Sequence, residues 1–180
     1  MKLIKIIGYS SLLLLLLLAA CSRSPEARRD AHIAKGKAFV SKQDYSRAIL
    51  EFRNAARLTP KDAEPYYQLG AAFASAREFG PAAAALRKAL ELNPKHVQAQ
   101  LKLAQLFALT DDKKLLEDGR ERLQALLNNA PNDRDALHTL AFTELKLGSP
   151  ATASQMLERA LAAAPGELLS SILLAHVKLS

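Results

Sequence analysis

Few residues in this 180-residue chain could do covalent or metal chemistry, and their spacing decides what they could do. Cys21 is the one cysteine, so the chain has a single candidate thiol nucleophile and no intrachain disulfide. His32, His96, His138 and His176 stand far apart, without the i, i+4 spacing or the cysteine partners that zinc uses, so each reads as a packing or surface side chain. Asp111, Asp112 and Asp118 lack the spacing of a calcium loop and, beside Lys113 and Lys114, read as an exposed polar turn. The 7 glycines are isolated and form no phosphate-cradling loop. No catalytic group, metal site or cofactor is therefore expected, which leaves recognition as the function to look for.

The setting of Cys21 bears on location. Residues 6–20 form an uncharged, leucine-rich run of 15, short of the roughly 20 that a helix needs to cross the hydrocarbon of a bilayer. Lys2 and Lys5 precede the run and small residues follow it, which is the order of an export signal. Its ending, Leu18-Ala19-Ala20-Cys21, resembles the lipobox of bacterial lipoproteins. That resemblance implies cleavage before Cys21 and a diacylglyceryl group on its sulfur, giving a signal peptide (1–20) and a basic tether (21–28). An ordinary signal peptide with a chance cysteine, or an uncleaved anchor, are the other readings. Buried acyl chains contribute about 0.8 kcal/mol per methylene, so two or three of them would hold the protein firmly on a membrane. Ser22 after the lipid site implies, in a two-membrane cell, transfer to the outer membrane, facing the periplasm.

Charge is unevenly placed. Residues 22–61 carry 10 bases and 4 acids, a net +6, whereas residues 62–180 carry 13 and 14, a net −1. Arg23, Arg28, Arg29 and Lys35, followed by Lys37 and Lys42, are thus expected beside the anchor, where each base adds on the order of 1 kcal/mol of attraction to an anionic membrane surface. A solvated tether with no specific role is the alternative. Export and the lack of an aromatic-basic motif argue against nucleic acid as a partner.

Behind the leader, 160 residues (180 − 20) suffice for one domain core, and their richness in Ala and Leu favours helices over strands. Pro60, Pro94, Pro131 and Pro165 each close an apolar-periodic stretch, at separations of 34, 37 and 34 residues. Tyr66, Leu69, Gly70 and Phe73, then Ala82, Leu86, Ala89 and Pro94, fill the pattern of a 34-residue helix pair. On these residues the chain resembles the tetratricopeptide repeat family. The resemblance implies an all-α, right-handed α-solenoid of four repeats (29–60, 63–94, 97–131 and 134–165), followed by an apolar helix over 166–180 that is a cap or the start of a fifth repeat.

Local chemistry supports that register. Gly70 and Ala82 are the small residues expected where paired helices approach. Asp62 and Asn132 are expected to cap the first helices of repeats two and four, and Gly80-Pro81 and Ser149-Pro150 to start second helices with proline at the first position. Three extra residues near 110–114 are expected in a loop. Lys35 stands where repeat two has Leu69, as befits a terminal repeat, and Glu144 stands where an aromatic is usual. The helix at 168–179 is apolar around most of its circumference, so the chain continues beyond it, or its face docks on a partner or a second copy, or it lies flat against repeat four and buries both sides.

In this family the first helices of the repeats line a concave groove. The resemblance places Lys37, Tyr67, Gln68, Lys102, Gln105, His138 and Phe142 there, a mixture that suits an extended peptide or a partner helix. Ile33 and Lys37 occupy the Lys and Asn places of the family's carboxylate clamp, so chaperone-tail binding is not implied. The sequence thus reads as a lipid-anchored, non-enzymatic adaptor for protein or peptide partners in bacterial envelope assembly, secretion or polysaccharide-associated sorting. The targeting arm of a longer regulatory or catalytic protein and a self-associating structural module are the alternatives.

Overall fold

The computed structural model describes residues 24–179, which form nine helices and, among the described residues, no strand. The chain divides into two compact units, one ending at Pro60 and one beginning at Lys61.

The first unit holds α1 (Pro25–Val40) and α2 (Tyr45–Leu58). Ser24 caps α1 by accepting from the Ala27 N–H at 3.2 Å, and Pro25 occupies the first helical position, where a missing N–H costs nothing. Helix therefore begins at Pro25, four residues ahead of Arg29, and takes in the second half of the expected tether. Phe52 of α2 is fully buried with its ring over Gly36 of α1; a Cβ at Gly36 would lie 2.5 Å from that ring.

The second unit continues with α3 (Ala63–Ser75), α4 (Phe79–Leu92), α5 (Val97–Ala108), α6 (Lys113–Asn129), α7 (Arg134–Lys146), α8 (Pro150–Ala163) and α9 (Leu168–Leu179). Successive helices pair as α3 with α4, α5 with α6 and α7 with α8, while α3 touches α5 and α5 touches α7. The first helices of the repeats thus form a layer of their own. The 34- and 37-residue spacing is visible in the core, since Leu86, Leu123 and Leu157 fall on one register position and are all fully buried. Phe52 holds that position in the first unit. Each lies beside a small residue, such as Ala82 or Ala153, that brings its helix close to the partner.

Turns repeat too. Gln43, Arg77 and Gly148 all have positive φ, and in each turn the residue after it, Asp44, Glu78 or Ser149, donates its N–H to a carbonyl five residues back at 2.8–2.9 Å. Only at Gly148 is the left-handed backbone free of a Cβ clash. Repeat three lacks this turn, with no positive φ between α5 and α6, and it carries three extra residues. They extend α6 to 17 residues, against 14 for α4 and α8, so most of the expected loop insertion is helix. Asp112 caps that longer helix from the N–H groups of Lys114 and Leu115.

Other boundaries shift by a residue or two. Asp62 caps α3 as expected, but Asp133, not Asn132, caps α7, accepting from Ala136 N–H at 2.8 Å. Helix α4 starts at Phe79, which makes Pro81 its third residue, still within the first turn whose N–H groups have no intrahelical partner. Ser149 and Pro150 do begin α8, although the Ser149 hydroxyl makes no capping bond. Glu144 is buried in α7.

On α9, Val177 is buried against the repeat-four core and Leu173 and Leu174 are partly covered, whereas Leu168 and Ile172 are 72% and 56% exposed. One face packs and the other does not.

A pair of substitutions tests the packing. A Cβ at Gly70 would sit 2.7 Å from Leu86 Cγ and 3.2 Å from the Ala82 carbonyl oxygen, while one at Gly119 would meet nothing closer than Phe107 Cβ at 3.4 Å. In urea titrations, Gly70→Ala is expected to destabilise by roughly 1–3 kcal/mol through overpacking. Gly119→Ala is expected to stabilise by up to about 1 kcal/mol through helix propensity. Equal effects at the two sites would contradict the close approach at Gly70.

Candidate functional site

Because α3, α5 and α7 lie side by side in the second unit, residues at equivalent positions form columns across them. One column is Ala71, Gln105 and Phe142; another contains Lys102 and Thr139. Together they floor an open groove of about 470 Å³. Phe79 at the start of α4, Leu109 just after α5, and Leu173 of α9 add apolar walls. Phe79, Leu109 and Phe142 are 47%, 59% and 42% exposed, an apolar surface that a folded chain does not spend on its own core.

Of the expected groove residues, Lys102, Gln105, His138 and Phe142 line this groove. Tyr67 and Gln68 do not. The Tyr67 ring rests on that of His96, centroids 4.8 Å apart, and burial together with the nearby Glu64 carboxylate pushes its phenol pKa up. Gln68 donates to Glu64 Oε1 at 2.7 Å. Lys37 is exposed on α1, in the first unit. Phe79, Leu109 and Leu173 went unforeseen because they lie outside the first helices of the four repeats. Ala71 was missed although it stands 34 residues before Gln105, so the repeat spacing carried a signal that could have found it.

Among the basic residues, Arg28 and Lys35 are exposed on α1, and Arg29 pairs with Asp30 at 2.9 Å. Cys21 and Arg23 lie outside the described residues.

His138 deserves a chemical test, since Ser170 and Glu167 surround it. Its Nε2 is hydrogen-bonded to Ser170 Oγ and lies 3.1 Å from Glu167 Oε2, and the Ser170 hydroxyl donates to that same oxygen at 2.8 Å. A nucleophile relay needs serine on one ring nitrogen and carboxylate on the other. Here both meet Nε2, and Ser170 is wholly buried, so no substrate carbonyl can reach it. The cluster is a tie: it holds the start of α9 to α7, with Arg134 Nε 3.7 Å from Glu167 Oε1. His96 makes a similar tie one repeat earlier. Its Nδ1 accepts the Ala99 N–H at 3.3 Å, which places the proton on Nε2, 3.3 Å from Glu64 Oε2.

The rim is fixed by Lys146, whose ammonium reaches Asp111 Oδ1 at 2.8 Å and the Thr110 carbonyl at 2.6 Å, and lies 5.7 Å from the Phe142 ring centre. The Lys146 hydrogen bond and charge hold the Asp111 carboxyl below its usual pKa. The bridge therefore persists through mildly acidic pH and is lost only as pH falls through that lowered value.

Among the described residues no three His, Cys, Asp or Glu side chains converge as a metal site would require. The layered first helices, the repeated buried leucines and the groove across them are the arrangement of a repeat scaffold. The family model described as the cytochrome c-type biogenesis protein H TPR domain matches residues 18–175. The chain belongs to this tetratricopeptide repeat family. No curated protein matches it by sequence. Among solved structures, the TPR fold of MamA (residue 41 to the end) from Desulfovibrio magneticus RS-1 superposes with a TM-score of 0.77 at 20% identity, over 84% of each chain. PilF of Pseudomonas aeruginosa gives 0.76 at 19% identity, over 87% of this chain and 70% of its own. YrrB, described as a TPR protein with an unusual peptide-binding site, gives 0.70 at 22% identity, over 84% and 75%. These likenesses establish an all-α TPR solenoid.

The tie at His138 makes a prediction. Glu167→Ala removes the acceptor of Ser170 and the carboxylate facing His138 and Arg134, bonds of a kind that contribute roughly 1.5–3 kcal/mol each when charged. Amide hydrogen exchange across α9 should accelerate by about tenfold or more, with α3 and α4 unchanged. Unaltered exchange in α9 would show that apolar packing alone holds it.

Proposed function

We propose that this TPR protein is a non-catalytic adaptor, anchored to the bacterial envelope through a lipid on Cys21, that binds a segment of a partner protein in the groove across α3, α5 and α7. The observation that carries the reading is the groove itself: exposed Phe79, Leu109 and Phe142 around a floor of polar Lys102, Gln105 and Thr139. Apolar side chains of a bound segment would fill the walls, and the floor would bond its backbone or polar groups. Its volume falls within the ~300–1,000 Å³ typical of ligand sites. The peptide-binding site in the description of YrrB, a structure of similar fold, is in keeping with this use.

Support for the anchor comes from the lipobox-like ending at Cys21 and from the basic α1 that follows. No helix among the described residues is long and apolar enough to cross a membrane. An envelope protein of this kind would be held by its acyl chains and would present the repeats to the periplasm from the outer membrane.

Two measurements test the proposal. Pooled ten-residue peptides with Leu, Phe, Val, Ala, Ser and Gln at mixed positions, titrated against isotope-labelled protein, should shift the amide signals of Gln105, Leu109, Thr139 and Phe142. Phe142→Ala should weaken that binding by roughly ten- to thirtyfold, as loss of an aromatic anchor does. Shifts confined to α4, α6 and α8 would place binding on the other layer and defeat the groove reading. Separately, mass spectrometry of the membrane-extracted protein should find a first residue Cys21 carrying acyl chains, and Cys21→Ser should release the protein from the membrane fraction. An unmodified Cys21 would remove the anchor from the proposal.

A further inference from the structure

The lining of the groove is chemically lopsided. It includes Lys102 and, among the described residues that line it, no Asp or Glu. The other cation at the rim, Lys146, is engaged by Asp111 and the Thr110 carbonyl, and His138 is held by Ser170 and Glu167. Lys102 makes no ion pair or hydrogen bond with the described residues, although it is half-buried on α5. Water serves it while the groove is open. A bound segment that covers the groove takes that water away, and an ammonium without a compensating partner is then strongly disfavoured.

We propose that the groove selects partner segments in which a side-chain carboxylate stands between apolar residues, and that Lys102 is the residue that reads it. This rests on the groove being the binding site. The carboxylate belongs to an internal side chain and not to a chain end because of where Lys102 lies. It is on α5, the middle of the three lining helices, with apolar walls on the α3 side (Ala71, Phe79) and on the α7 side (Phe142, Leu173). A segment that touches both walls continues past Lys102 in both directions. The same register position carries neutral Gln68 in repeat two, turned onto Glu64, and neutral Thr139 in repeat four. Only repeat three offers a cation in that column, so the charge also sets where along the array the acidic residue must fall.

The test uses the full chain and four pools of ten-residue peptides, acetylated at the N-terminus, with the mixed apolar and polar flanks given above. Three pools are amidated at the C-terminus and carry Glu, Gln or Lys at the centre; the fourth carries central Gln and a free C-terminal carboxylate. Fluorescence polarisation should rank central Glu tightest, by about three- to tenfold over Gln, with the Lys pool weakest. The Glu advantage should shrink as salt is raised. Lys102→Glu should invert the order, so that the Lys pool binds best. Three amidated pools that bind the wild-type protein equally would overturn the carboxylate inference and leave the groove reading standing. If the free-acid Gln pool matched or exceeded the Glu pool, the carboxylate would belong at a chain end and the internal placement would fall. No binding by any pool would overturn both.

Discussion

The close contact of paired helices at glycine and alanine is the constraint on which everything else depends. At Gly70 there is room for Leu86 and none for a methyl group, and at Gly36 the ring of Phe52 lies where a Cβ would be. A helix pair that approaches this closely excludes water from its seam and puts one large side chain from each second helix at full burial. At Gly36 and Gly70 that contact sets how closely the two helices of the pair approach. In the second unit it is this geometry that lines up α3, α5 and α7, so that side chains 34 or 37 residues apart fall into columns. The groove follows from the seams behind it.

Apolar contact alone does not orient neighbouring repeats uniquely, and a second set of interactions is directional. His96 with Glu64, and His138 with Glu167 and Ser170, join residues 32, 29 and 32 positions apart. Both use a histidine near the N-terminal half of a first helix and a carboxylate from the adjoining repeat. In each case the buried or half-buried polar atoms satisfy one another, as they must when removed from water. These ties give His96 and His138 the packing roles that their isolated spacing in the sequence suggested. His32 likewise faces Glu51 at 2.5 Å within the first unit.

Much of this was legible in the sequence because it depends on periodicity. The prolines, the small residues and the leucines at 86, 123 and 157 follow one spacing, and that spacing gives the helix pairs directly. What was not legible depends on local competition. Repeat spacing does not decide whether the extra residues near 110 remain a loop or wind into α6, where Asp112 caps the helix that they lengthen. Tyr67 and Gln68 occupy first-helix positions that suit a groove, yet His96 and Glu64 claim their side chains. Phe79 and Leu109 line the groove from a helix start and a turn, places that a repeat pattern assigns to connection.

The lengthened α6 has a consequence for recognition. An array of identical repeats has a translational symmetry, and a ligand that fits one period fits the next, so it can bind in several frames or slide among them. The three residues added between Pro94 and Pro131 break that symmetry once, lengthening α6 to 17 residues just after the turn in which Asp111 and the Thr110 carbonyl meet Lys146. The scaffold therefore carries a fixed origin along its length, like a ruler with a zero mark.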